Sequence, residues 1–222
     1  MIKRDLLAAC SGYMLFNTPM VQALLDGRKI RTMRLMKPQP DTCRRMKMEY
    51  SNHHPCVGFA DGSGYIWRPC HKPGDIIYVR ETFYQQYEVR RNMDLEPETW
   101  WLSLYAYAGD IPASGRWAKR PSIHMPRGAA RIFLRVMDVK VQRPQELTRE
   151  EIISEGIADH YTWYDAEQSP CGTTLCNHEL RDKWASLWDS VQQKKDLPMY
   201  GYDANPFCWV YELERLVPDG GN

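Results

Sequence analysis

No stretch of the chain approaches the roughly 18 consecutive apolar residues that a membrane-spanning helix needs. The apolar patch Leu6-Leu7-Ala8-Ala9-Cys10 is too short for a signal-peptide core and lacks a cleavage-site context. No export and no membrane partner are therefore expected. Paired C-x2-C spacing is also missing, and the seven cysteines are odd in number and scattered over 222 residues. That pattern favours reduced thiols and a cytoplasmic setting over a disulfide framework. Cys171, Cys176, His178 and His160 form one loose cluster, and His53, His54, Cys56, Cys70 and His71 another. Neither has zinc-site spacing, so no metal and no cofactor is expected. There is no glycine-rich phosphate loop, no GxSxG element, no internal repeat and no low-complexity tract.

Aromatic residues are plentiful by contrast. Eight Trp and thirteen Tyr, in a chain that is 43% hydrophobic, favour a packed globule over disorder. The length suits one domain, residues 1–222, with insertions expected at 41–70, 84–120 and 158–176.

The formal net charge of +1 conceals segregation. From Arg28 to Lys47 there are eight Lys or Arg and one acid, Asp41; from Arg116 to Arg135 there are six and no acid. Basic clusters on a near-neutral protein point to a local anionic partner, a nucleotide or nucleic acid, or else to solvated faces.

Thr18-Pro19 starts a short helix over about 19–26, which Gly27 stops. Lys29 to Leu35 has strand propensity. Ile76 to Val79 is a short β run after the turn Gly74-Asp75, and another strand is expected around Leu104–Ala108. Residues 131–141 alternate polar and apolar as a strand. Thr148 with Glu151 forms a capping box for a helix that ends near Gly156. Asn177 is expected to cap a further helix with the stripe Leu180, Trp184, Leu187, Trp188 and Val191, and Pro206 to Leu216 is a final strand. Strands and helices without βαβ alternation predict an α+β fold, a small mixed β-barrel decorated by helices.

The segment Gly27-Arg28-Lys29-x-x-Thr32-x-Arg34 carries the first candidate chemistry. A lysine beside other cations is destabilised as an ammonium, so its pKa falls and it can serve as a base toward a hydroxyl. Thr32 is that hydroxyl, provided Lys29 sits in the turn before the strand, since residues i and i+3 of a strand face opposite ways. The plainer alternative is that Lys29 and Arg34 only bind phosphate. Arg80-Glu81 ends an apolar strand, as a structural ion pair or as a substrate-orienting one. His124 and Arg127, in Pro121 to Arg127, form a loop that could hold an anion. Nothing local marks Glu155.

These segments resemble the ASCH-domain family, a branch of the PUA-like superfamily, and more closely its bacteriophage and prophage members. The matching residues are Phe16-Asn17-Thr18-Pro19-Met20 through Arg34, Pro73-Gly74-Asp75 through Thr82, and Pro121 to Arg127 with the following strand. Glu155-Gly156, Leu187-Trp188-Asp189-Ser190 and Asn205-Pro206 with the terminal strand also match. The resemblance implies a PUA-like β-barrel whose cleft accepts a nucleoside or nucleic acid, RNA before DNA, in a bacterial cytoplasm or that of a phage host. Small bacterial ASCH proteins are amidohydrolases that deacetylate N4-acetylcytidine. Their catalytic Lys and Thr map to Lys29 and Thr32. Their catalytic Glu follows a Leu-Thr pair by the spacing that separates Leu147-Thr148 from Glu155. Backbone amides near Gly27 or Arg34 are the expected oxyanion donors. Arg34, Arg80, Glu81, His124, Arg127 and Asn205 are the expected substrate-binding residues. The alternatives are a non-catalytic module that reads RNA or modified nucleic acid, with Trp67, Tyr84 or Trp117 stacking on a base, and a ribonuclease using Lys29 and His124. The chain is about twice the length of the small enzymes, so a different or larger substrate stays open.

Overall fold

A computed structural model describes residues 2–40, 59–60, 66–90, 100–107, 110–113, 116–158, 160–164 and 170–217. The sequence expectations for His53, His54, Cys56, the side chains of His160 and Cys171, and much of the three insertions lie outside the described residues.

In chain order the elements are α1 (Lys3–Ala9), β1 (Cys10–Leu15), α2 (Thr18–Leu25), β2 (Arg31–Leu35), β3 (Phe59–Ala60) and β4 (Ile66–Trp67). β5 (Ile76–Arg80), β6 (Phe83–Arg90), β7 (Trp100–Tyr107), β8 (Ala118–Arg120) and β9 (Phe133–Gln142) follow. The chain continues with α3 (Arg149–Ser154), β10 (His160–Tyr164), β11 (Pro170–Thr174), α4 (Asn177–Ser190), α5 (Leu197–Tyr200) and β12 (Cys208–Leu216). The fold is α+β, as expected. Among the described residues its sheets are open, with β1, β2, β7 and β8 as edge strands, and they do not close into the expected barrel. No helix among these residues is long and apolar enough to cross a membrane.

The chain divides into two compact units, and it passes between them inside α2, between β5 and the residue before it, inside β9 and at the end of β12. Unit 1 comprises residues 1–22, 76–134 and 216–222. In it, β1 pairs in parallel with β5, and Val79 donates to the Ile132 carbonyl just before β9 (3.0 Å). A second sheet runs β7-β6-β8, all antiparallel. Its core gathers Leu6, Tyr78, Phe83, Met125, Ala129, Ala130 and Phe133.

Unit 2 comprises residues 23–75 and 135–215. Here the rest of β9, β12 and β2 lie side by side, with β2 antiparallel to β12 and Thr32 opposite Tyr211. β3–β4 and β10–β11 are separate antiparallel pairs. The core is built from Met33, Leu147, Ile152, Leu175, Leu180, Trp184, Trp188 and Val210. Thr148 and Glu151 cap α3 reciprocally: Thr148 N–H donates to Glu151 Oε2 (2.9 Å), and Glu151 N–H donates to Thr148 Oγ1 (3.3 Å). α4 differs from expectation at both ends. Cys176 is its N-cap residue, with its N–H bonded to the Glu179 carboxylate at 2.9 Å. Val191 is the C-cap and is exposed, because the helix ends before it could turn inward.

Candidate functional site

All three expected catalytic residues belong to unit 2. Gly27 takes φ +75, a left-handed value that costs glycine little. Lys29 N–H then bonds Ala23 O (2.9 Å) and Ile30 N–H bonds Ser154 O (3.1 Å). These two bonds fix the turn, so Lys29 lies outside the β2 ladder that begins at Arg31.

Glu155 is the C-cap residue of α3, and Gly156 after it has φ +97. Lys29 Nζ donates to Glu155 O (2.7 Å) and to Glu155 Oε2 (2.9 Å). One cation thus satisfies a helix-terminal carbonyl and a carboxylate, at the end of the helix where the macrodipole favours positive charge. Both side chains are nearly sealed, at 2% and 4% exposure. The other carboxylate oxygen, Glu155 Oε1, is buried without a hydrogen-bond partner. Such a group costs about 1–3 kcal/mol, more when charged.

Burial lowers the pKa of the Lys29 ammonium from its ordinary value; Glu155 opposes this through charge and hydrogen bond, while Arg34 and Arg31 add to it. The cationic neighbours act in the sense read from the sequence, but desolvation is the larger cause.

Thr32 is buried at 2% exposure. Among the described residues no hydrogen bond joins its hydroxyl to Lys29 or Glu155. Strand alternation puts Thr32 and half-buried Arg34 on one face of β2. Burial also lowers the Arg34 pKa, and the Glu155 charge opposes it. Tyr211 faces Thr32 across the ladder and is buried at 1%. Burial raises its phenol pKa; Cys70 adds to this, while backbone N–H groups of His71 and Cys70 oppose it. The His71 ring meets Tyr211 edge-on, with centroids 6.2 Å apart. Tyr211 and His71 were not singled out as partners of this motif from the sequence, because strand pairing and the Cys70–His71 approach are long-range.

Of the expected oxyanion donors, the amides near Gly27 or Arg34, that of Gly27 is already engaged. Gly27 N–H donates to Leu24 O (3.2 Å). Leu213 N–H to Ile30 O (2.8 Å) and Met36 N–H to Phe207 O (3.1 Å) set the alternation of the β2–β12 ladder. That alternation places Arg34 in a hydrogen-bonded pair with Trp209 and turns the Met33 N–H toward the open edge.

A second network, missed in the sequence, lies beside the first. Arg31, buried, bonds the Glu151 and Gln142 side chains through its two terminal nitrogens. Gln142 also donates to Glu151 Oε2 (3.0 Å). Burial would raise the Glu151 pKa, but Arg31, the Thr148 amide and Gln142 together bring it below its ordinary value.

Asn205, also in unit 2, has φ +48, a value asparagine tolerates. Its Oδ1 accepts from Gln145 N–H (3.1 Å) and its carbonyl from Arg143 (3.2 Å), so it holds a turn. Trp67 is buried at 8% and does not present a face for stacking.

Arg80, Glu81, His124 and Arg127 belong to unit 1. Arg80 and Glu81 do not pair with each other. Buried Glu81 is held bidentately by Arg131 (Nε–Oε1 2.9 Å, Nη2–Oε2 3.0 Å). Arg80 lies over the Tyr13 ring at 3.8 Å and donates to Ile123 O (3.1 Å). Arg127 donates to Leu7 O and to Cys10 O (3.1 Å), and His124 is exposed. Among the described residues no three His, Cys, Asp or Glu side chains are grouped to hold a metal ion. No family model, curated protein or solved structure matches the chain.

Proposed function

We propose that the protein is a nucleoside- or nucleic-acid-directed amidohydrolase of the ASCH, PUA-like kind, acting on an N4-acylated cytidine-type substrate. The observation that carries this reading is the buried Lys29–Glu155 pair with one carboxylate oxygen unpartnered. A buried ion pair is weak grounds for stability, since apolar replacements are often neutral or stabilising by about 1–4 kcal/mol. An orphaned carboxylate oxygen beside a lysine of lowered pKa is better explained as a place for a donor N–H or a water.

Lys29 passes its proton to Glu155 and, as the amine, takes the Thr32 hydroxyl proton. Thr32 Oγ bonds to the acyl carbon, and the carbonyl oxygen becomes an oxyanion. The Met33 N–H and the Arg34 guanidinium are the donors assigned to it. The C–N bond then breaks, and the leaving amine takes the proton held by Lys29. Water, deprotonated by the same pair, cleaves the acyl-threonine to release the acid and restore Thr32.

Hydrolysis of N4-acetylcytidine and related acylated nucleosides by the intact protein tests this. Lys29→Ala, Thr32→Ala and Glu155→Ala should each abolish turnover. A wild-type protein inactive across the panel sinks the reading. One observation favours a second reading, a binding module without turnover: the Thr32 hydroxyl is not bonded to Lys29. That reading gains if acylated cytidines bind and are released unchanged.

A further inference from the structure

We propose that Tyr211 is a further catalytic residue of the Lys29–Thr32 site, a phenol whose O–H binds the acyl oxygen of the substrate as it becomes an oxyanion. This role rests on the amidohydrolase reading above.

Placement comes first. Tyr211 stands opposite Thr32 in the β2–β12 ladder. Directly opposite residues share a face of the sheet, with Cβ atoms about 4.5–5.5 Å apart. Arg34, two residues beyond Thr32 on β2, is on that face as well. The Tyr211 side chain is buried at 1%, so it is no surface phenol. Arg34 links it to the buried pair: its charge acts on Tyr211 and on Lys29, and the Glu155 charge acts on Arg34. Phenol, guanidinium, carboxylate and ammonium thus share one neighbourhood of unit 2, beside the proposed nucleophile.

The phenol is also prepared to donate. It has one proton to give and an oxygen that can accept. Backbone N–H groups of Cys70 and His71 are directed at that oxygen, and the His71 ring meets the tyrosine ring edge-on at 6.2 Å. The accepting side is therefore supplied by the protein. Among the described residues nothing takes the O–H proton. A buried donor without an acceptor is costly, and a ligand oxygen removes that cost. Donors on the phenol oxygen polarise the O–H and strengthen the bond it gives. Burial holds the phenol above its ordinary pKa, so it keeps its proton and serves as a donor, leaving the base to Lys29.

The step balances without a further reagent. As Thr32 Oγ bonds to the acyl carbon, the C=O electron pair moves onto oxygen. The Tyr211 O–H, keeping its proton, binds that oxyanion beside Arg34. When the C–N bond breaks, the pair returns and the C=O re-forms. A fixed donor aimed at developing charge is the feature that speeds such a step.

Steady-state kinetics of the full chain on N4-acetylcytidine test this. Tyr211→Phe keeps the ring and removes only the hydroxyl. Its kcat should fall about 10²–10³-fold, the loss for one oxyanion donor, with KM nearly unchanged. Tyr202→Phe, a control in the same unit but outside this ladder, should match wild type. Circular dichroism checks that each variant is folded. A difluorotyrosine in place of Tyr211, with both fluorines beside the hydroxyl, keeps ring and O–H but is more acidic, and it reports even where Tyr211→Phe does not fold. The groups facing it are Arg34 of β2 and Cys70 and His71 before β5. Its kcat should fall at alkaline pH, where the wild-type profile is level, because a phenolate cannot donate. A purely structural tyrosine would give no such limb. Full activity in Tyr211→Phe, a raised KM at unchanged kcat, an equal loss in Tyr202→Phe, or a difluoro variant with the wild-type profile would each overturn the role of Tyr211 and leave the hydrolase standing. A wild-type protein inactive on every acylated cytidine would instead remove the hydrolase reading, and this role with it.

Discussion

Lys29 Nζ lies 2.9 Å from Glu155 Oε2, and the second oxygen of that carboxylate has no partner. The two halves of this arrangement make different demands. Removing one partner leaves a buried charge, whereas removing both removes the problem. Lys29→Met should therefore destabilise the protein by about 3–5 kcal/mol. Adding Glu155→Leu should recover most of that stability without restoring turnover. Urea midpoints of wild type, both single variants and the double variant close the cycle. A double variant no more stable than Lys29→Met would mean that the unpaired carboxylate is not the source of the loss.

The pH dependence of stability has a defined sign. The folded pKa of Lys29 lies below its ordinary value of 10.5, because burial disfavours the ammonium. Between those two values the unfolded chain holds more protons, so stability must rise with pH through that window. The penalty is complete below the lowered value and is relieved as pH approaches 10.5. Lys29→Met should lack this rise. Glu151 acts at the other end: its folded pKa is lowered, so its contribution is present at neutral pH and fades as pH falls through the folded value. Glu151→Gln should flatten the acid limb. Urea unfolding across pH reads both, and a wild-type curve parallel to that of Lys29→Met above neutrality would contradict the assignment.

Gly156 controls where Lys29 sits. A Cβ at this position would stand 2.9 Å from Ala23 Cβ and 3.1 Å from Lys29 Cβ, on a backbone with φ +97. Gly156→Ala thus combines backbone strain of about 1–3 kcal/mol with pressure on the lysine stem. We expect a lower thermal midpoint together with a loss of turnover larger than the stability loss explains. Ala23→Gly in the same chain opens the tighter contact and should return part of the activity. No return would place the whole effect in the backbone.

What was legible in the sequence was mostly local. The α3 capping box needs only Thr148 and Glu151, three residues apart, and the turns at Gly27 and Gly156 need only glycine's tolerance of positive φ. The pair of Lys29 with Glu155 spans 126 residues, and no periodicity encodes it; it was found only through the family resemblance. Reading Arg80 with Glu81 failed because neighbours along an extended chain point to opposite sides. The open sheets were missed because closure depends on which strands pair, and strand propensity carries no pairing information. Of the amides expected near Gly27 or Arg34 as oxyanion donors, that of Gly27 drops out because it is spent on Leu24 O, a bond made by the turn itself.

The Arg131–Glu81 pair supplies a last prediction, in unit 1. Glu81 is 4% exposed in its side chain and accepts two parallel bonds from Arg131, whose guanidinium also stacks on Tyr107 at 4.1 Å. Burial, helped by the Glu81 charge, pushes the Tyr107 phenol up to about 12, while Arg131 pulls it down. Arg131→Ala should therefore cost about 3–5 kcal/mol, because it strands a buried carboxylate. Arg131→Lys keeps the charge but loses the planar fork and should recover only part of it. Arg80→Ala removes a cation stacked on Tyr13 and should cost less, about 0.5–2 kcal/mol. In Arg131→Ala, ultraviolet titration should also show the Tyr107 phenol ionising later, since the cation that lowers it is gone. If Arg80→Ala proved the more damaging change, the ion pair would not be what holds this part of unit 1 together.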